Sequence, residues 1–278
     1  VWAMEWVRLA DTSGLRVVGM SHESYGATRA SSRYRRVREH YAGADRMLVL
    51  TAEDADAWAR AGMTNADHIP NALHVTPDIH PTLDLPVVAC VGRLSYEKGV
   101  DLLLEAWERV SKSNPGWRLH IYGSGPDAEP LRAQADEAGL SGSVEFRGVV
   151  ADVEEALVEA SILALPSRAE GLPMSVLEAM AYGLPTVAFD CAPGVRALLG
   201  IEHGGGGVLV EPGDTTAFAG ELERLIDDAD LRRALGADAR ASVLRFHPDA
   251  VLARWDRLFD LLHRDLPSAK KAVEADSF

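Results

Sequence analysis

From Pro86 onward the chain repeats one unit: a short apolar run, a turn, and an amphipathic helix. "VVACVG" (87–92) leads into "VDLLLEAWERV", where Val100, Leu103, Leu104, Trp107 and Val110 recur at helical spacing. "RLHIYG" (118–123) leads into a helix through Leu131 and Ala135. "SVEFRG" (143–148), "SILALP" (161–166) and "PTVAFD" (185–190) each precede helical sequence, and "GVLVE" (207–211) makes a sixth strand. The runs are apolar throughout instead of alternating, as strands covered on both faces are. Parallel strands need crossover connections, so this rhythm predicts an α/β fold with a doubly wound parallel sheet.

The remainder is divided around that unit. Before Pro86 the pattern predicts strands at 15–20 and 46–50, helices at 31–41 and 53–61, and a short extended "DHIP" at 67–70. "NALHVTPDIHPTLDLP" (71–86), rich in Pro and His, reads as a linker. Residues 1–75 are thus expected to be part of one α/β domain, and 76–246 a complete second one. Phe218, Leu222, Leu225 and Ile226 line one helix face, and Leu252, Trp255, Leu258, Phe259 and Leu262 line a terminal helix over 247–266. "GGGG" (204–207) reads as a flexible loop, and residues 267–278 as an aperiodic tail. The chain opens at Val1 inside an amphipathic segment, "VWAMEWVRLA", which suggests that the natural start is absent.

Charge and cysteines narrow the partners. The net charge of −14 argues against non-specific nucleic-acid binding. Cys90 and Cys191 each fall in an apolar run that reads as a strand, so they are expected as small core residues in a reducing, cytoplasmic compartment. No apolar stretch reaches the length of a membrane span. "RASSRYRRVREHY" (29–41) is basic within this acidic chain. It fits either a solvated helix face or a contact with anionic lipid or a polyanionic acceptor.

In open α/β sheets ligands bind at the carboxyl edge, where four stretches stand out. "GRLSYEKG" (92–99) turns at Gly92 and projects Arg93 and Lys98 beside a helix start, a pattern that suits a diphosphate. One such cation about 4 Å from a phosphate charge contributes roughly 4 kcal/mol at an effective dielectric near 20. "YGSGP" (122–126) places Gly123 and Gly125 where backbone and ligand could meet closely, although a lone G-x-G more often marks an ordinary βα turn. "RGVV" (147–150) carries Val149 at a third strand end. In "SRAEGLPMSVLEAMAYGLP" (167–185), Ser175 with Glu178 fits an S-x-x-E capping box, whereas Glu170 beside Gly171 has no such structural role and needs partners. A carboxylate accepts hydrogen bonds from vicinal hydroxyls well. D-x-D occurs at Asp54–Asp56 and Asp228–Asp230, but in helical sequence far from the strand ends; both are read as solvated faces, and no metal is expected.

"GRLSYEKG", "YGSGP" and "EGLPMSVLEAMAYGLPTVA", in this order and at these separations, resemble the donor half of a retaining GT-B glycosyltransferase of the large family 4 group. The resemblance covers about residues 86–245 and includes the E-x7-E pair Glu170 and Glu178; "IPNAL" (69–73) and the helix through Trp255 also match. It implies a Rossmann-like donor domain plus part of a second, acceptor-side domain. It also implies transfer of a sugar from a nucleoside diphosphate sugar, a UDP-sugar by family frequency, to an acceptor hydroxyl of a glycan, lipid or polymer, without a cofactor or metal.

Residue by residue, Arg93 and Lys98 would hold the diphosphate, Glu178 the ribose, and Glu170 the donor sugar. Amides from Gly171, Leu172 and Met174 would lie nearby, Gly92 would shape the loop, and Gly123 and Val149 would border the base. "VVGMSHESYG" resembles a strand and loop that carry a histidine facing the donor sugar, which nominates His22. The family's first domain is usually longer and opens with a Gly-rich loop not seen before Leu15. That leaves open a non-catalytic nucleotide-sugar-binding fragment. A nicotinamide-dependent oxidoreductase fits less well, since Ala128 replaces the third glycine of G-x-G-x-x-G and no acidic residue ends the next strand.

Overall fold

The computed structural model describes residues 2–200 and 205–264, and contains two parallel sheets. The first is built from β1 (Val18–Met20), β2 (Arg46–Val49) and β3 (Ala66–His68), side by side in chain order. Side-chain alternation splits β2 between two cores. Met47 and Val49 pack with Val37, Tyr41 and Trp58 of α3 (Arg33–Tyr41) and α4 (Ala52–Arg60). Leu48 faces the other way, onto Val251, Leu258 and Leu262 of α12 (Pro248–Arg264), which returns from the far end of the chain to cover this sheet. Leu252 and Phe259, expected on the same face of that helix, are exposed instead. Their angular positions fall outside the stripe defined by Val251, Leu258 and Leu262.

The second sheet has six strands in the order β6-β5-β4-β7-β8-β9, all parallel. These are β4 (Val87–Val91), β5 (Arg118–Tyr122), β6 (Val144–Gly148), β7 (Ile162–Leu165), β8 (Thr186–Phe189) and β9 (Gly207–Val210). Val88 and Cys90 join one core and Ala89 the other, so both faces of β4 are covered. Val100, Leu103, Leu104, Trp107 and Val110 of α5 (Val100–Ser113) are all buried on one face, as their spacing predicts. Burying each Val- or Leu-sized side chain contributes about 1.5–3 kcal/mol. The chain order reverses between β4 and β7, which are neighbours although β5 and β6 lie between them in sequence. Loops leaving these two strands diverge, and the crevice between them is where such sheets bind ligands.

Several local expectations are corrected. The first strand is three residues long, not 15–20, and a short helix, α2 (Tyr25–Arg29), precedes α3. Gly207 of the glycine run opens β9, while Gly204 and residues 267–278 lie outside the described residues. Cys191 lies beyond the end of β8, half-buried, while Cys90 is a buried strand residue; both are free thiols. Asp54 is no solvated residue. It is 2% exposed, and it accepts hydrogen bonds from Tyr25 N and Thr51 Oγ1, each at 2.7 Å, tying α2 to α4. Burial raises its carboxyl pKa. No helix among the described residues is long and apolar enough to cross a membrane.

Candidate active site

The loops after β4 and β7 meet at the switch point through an ion pair. Lys98 Nζ lies 2.7 Å from Glu170 Oε1, which also accepts from Ser167 Oγ at 2.7 Å. Lys98 ends a short 3-10 turn, Tyr96–Lys98, and Gly99 in the left-handed region then starts α5. The Glu170 side chain is only 8% exposed and that of Lys98 30%, so the carboxylate relies on these two partners instead of water.

Around this pair lies a hollow of about 360 Å³. His22, Leu50 and Asn71 reach it from the carboxyl ends of β1, β2 and β3; Gly92, Arg93 and Lys98 from β4; and Glu170, Gly171, Leu172, Met174 and Ser175 from the segment after β7. Both sheets therefore present their carboxyl ends to one space. Closure depends on Gly171: a Cβ there would stand 2.0 Å from His22 O. Only a residue without a side chain lets the two loops touch. On the neighbouring side the sheets are linked by Arg196, which pairs with Glu53 at 2.7 Å and with Asp190 at 2.7 Å.

α8 (Met174–Tyr182) points its N-terminus at the hollow. Its N-cap is Pro173 in extended backbone, with no side-chain cap bond. The capping-box expectation for Ser175 and Glu178 therefore fails, because Ser175 already lies inside the helix, where it cannot adopt the N-cap backbone. The unbonded amides of this first turn remain free to meet an anion. Glu178 lies one turn further on, buried, with His74 Nε2 3.2 Å from its Oε1. Burial raises the Glu178 carboxyl pKa, and the His74 charge offsets part of that rise.

Of the residues nominated from sequence, Arg93, Lys98, Glu170, His22, Gly92, Gly171, Leu172 and Met174 share this hollow. Gly123, Gly125, Glu178 and Val149 do not line it. A Cβ on Gly123 would stand 1.8 Å from Gly92 O, and one on Gly125 2.1 Å from Leu94 O. These glycines seat the β5 loop against the Arg93 loop. Val149 is 74% exposed beyond β6. Sequence reasoning missed Ser167, Asn71 and His74. The only signal for Asn71 was its place after Pro70 at the entry to the second domain.

Two parallel α/β sheets, with facing carboxyl edges and a returning terminal helix, make up an architecture of the GT-B type. The chain belongs to the glycosyl transferases group 1 family, whose sequence pattern matches residues 85–228. It is 34% identical over 84% of its length to an exopolysaccharide phosphotransferase of Streptomyces coelicolor, and covers 25% of that protein. It is 33% identical over 76% of its length to an uncharacterized glycosyltransferase of Haemophilus influenzae, covering 60% of it. The structure of a point mutant of S. aureus TarM in complex with fondaparinux, α-GlcNAc-glycerol and UDP superposes over 91% of this chain and 52% of TarM, with a TM-score of 0.81 and 22% identity. The chain thus spans about a quarter to three fifths of these proteins.

Proposed function

We propose that this chain carries the donor site of an enzyme that moves a sugar from a nucleoside diphosphate sugar, a UDP-sugar, to an acceptor hydroxyl with retention at the anomeric carbon. The observation that carries this reading is the convergence of Arg93, Lys98 and Glu170 on one hollow at the switch point of the six-stranded sheet. Arg93, Lys98 and the amides at the start of α8 receive the diphosphate. Glu170 accepts hydrogen bonds from donor-sugar hydroxyls, His22 faces that sugar from the first sheet, and Glu178 binds the ribose once His74 yields. Gly123 and Val149 border the base at the outer end of the site.

In the reaction the bond from the anomeric carbon to the diphosphate oxygen breaks and a bond to the acceptor oxygen forms on the same face. The acceptor proton passes to the departing phosphate oxygen. Negative charge grows on that phosphate in the transition state, so Arg93 and Lys98 stabilise the transition state more than the ground state, which raises rate. Their positive charge serves in place of a metal ion.

Titration calorimetry with UDP tests the assignment. Arg93→Ala is expected to abolish detectable binding, and unchanged affinity would refute the phosphate role. A second reading is a nucleotide-sugar-binding module without turnover. UDP binding without UDP release from UDP-glucose or UDP-N-acetylglucosamine, in the presence of saccharide acceptors, would support it. Membership of the glycosyltransferase family sets the nicotinamide reading aside.

A further inference from the structure

A second hollow, of about 910 Å³, adjoins the donor site and shares Glu170 and Gly171 with it. Its first-sheet wall includes Glu23, Ser31, Ser32 and Arg33, and its second-sheet wall includes Tyr96 and Glu97. Tyr96 is 69% exposed, unusual for a large aromatic side chain held this firmly. The Arg168 guanidinium lies 4.3 Å from the ring centroid, covering one face. Arg168 is itself fixed by two hydrogen bonds to Asp101, at 2.7 and 2.6 Å, and a third to Tyr96 O at 2.9 Å. The ring is thus braced from one side and open to solvent elsewhere.

Both guanidinium groups that line the hollow are paired. Arg33 pairs with Glu23, and Arg168 with Asp101. Glu97 forms no ion pair among the described residues; its own N–H and the Ser95 hydroxyl, and more weakly the charges of Arg93 and Arg33, hold its carboxyl below the usual range, so it is ionised at neutral pH. Ser32, at the N-cap of α3, makes no cap hydrogen bond and keeps its hydroxyl for another partner. Behind this wall Arg36 is taken by Glu5. Among the residues lining this hollow, Glu97 is a carboxylate without an ion-pair partner and both guanidinium groups are already paired, so a phosphate- or sulfate-rich polymer gains no open guanidinium from the lining itself. A flat, braced aromatic face among hydroxyls and a carboxylate suits the C–H face and the hydroxyl rim of an uncharged pyranose.

From this geometry we infer that Tyr96 is a stacking platform for a neutral saccharide, and that this hollow selects uncharged glycan acceptors over anionic polymers. The inference rests on the donor-site reading above and names the class of acceptor for it. Saturation-transfer NMR on the 278-residue chain with UDP present tests it, using maltotriose, lactose and chitotriose as neutral probes and fondaparinux as the anionic one. At least one neutral probe is expected to bind, with fondaparinux absent or weaker. Tyr96→Ala is expected to weaken that probe about tenfold, a loss of about 1.4 kcal/mol, while Tyr96→Phe retains it. The UDP-induced rise in melting temperature should be the same in all three proteins. Equal probe affinity in Tyr96→Ala, binding of fondaparinux alone, or no neutral binding would each overturn the inference. Loss of the UDP shift in the unmodified chain would instead refute the donor-site reading, while the saccharide data would still decide the role of Tyr96.

Discussion

Lys98→Ala removes the cation from an ion pair whose carboxylate cannot turn to water. Glu170 would keep only the Ser167 hydroxyl at 2.7 Å, with its side chain 8% exposed. Removing one partner of a fully buried pair costs about 3–5 kcal/mol, whereas exposed pairs contribute about 0.2–1 kcal/mol. Lys98, 30% exposed, falls between these limits, which gives about 2 kcal/mol. For a chain of this size that corresponds to a melting temperature lower by about 4–8 °C in scanning calorimetry. The double variant Lys98→Ala/Glu170→Gln removes the stranded charge as well, and should regain most of the loss. Both proteins should lose the stabilisation that UDP confers on the unmodified chain. A single variant that melts within about 1 °C of the parent, with the double variant no better, would refute the account of Glu170 as a carboxylate held by Lys98.

Two other perturbations read different parts of the site. Glu178 has a folded-state pKa above its usual 4.5, so between 4.5 and that raised value the folded state binds more protons than the unfolded one, and stability falls as pH rises through this window. Glu178→Gln removes that loss, so its melting temperature relative to the parent should climb as pH is raised from 4 to 7 by about the amount the carboxyl costs; a constant difference would refute the burial argument. Gly171→Ala places a methyl 2.0 Å from His22 O, and should destabilise by about 1–3 kcal/mol or more and abolish the UDP shift, measured by thermal melting. Unchanged melting and binding would mean the two loops can part at no cost.

What the sequence alone determined is local in origin. The periodicities of Val100 to Val110 and of Phe218 to Ile226 reflect which side chains share one helix face, and the unbroken apolar runs of β7 and β8 reflect cover on both sides. Both are set by neighbours a few residues apart, so they can be read without coordinates. Arg93, Lys98 and Glu170 were legible as candidates because glycine-bearing turns after strands place charged groups at a sheet edge. Only the tertiary structure decided how they meet. Lys98 and Glu170 are 72 residues apart and pair because β4 and β7 became neighbours at the switch point. The same packing turned Glu178 from a cap into the partner of His74, buried Asp54 under α2, and set Gly123 and Gly125 against the Arg93 loop. Contacts between distant segments depend on strand order and on how closely backbones can approach, and neither quantity is carried by any single stretch of residues.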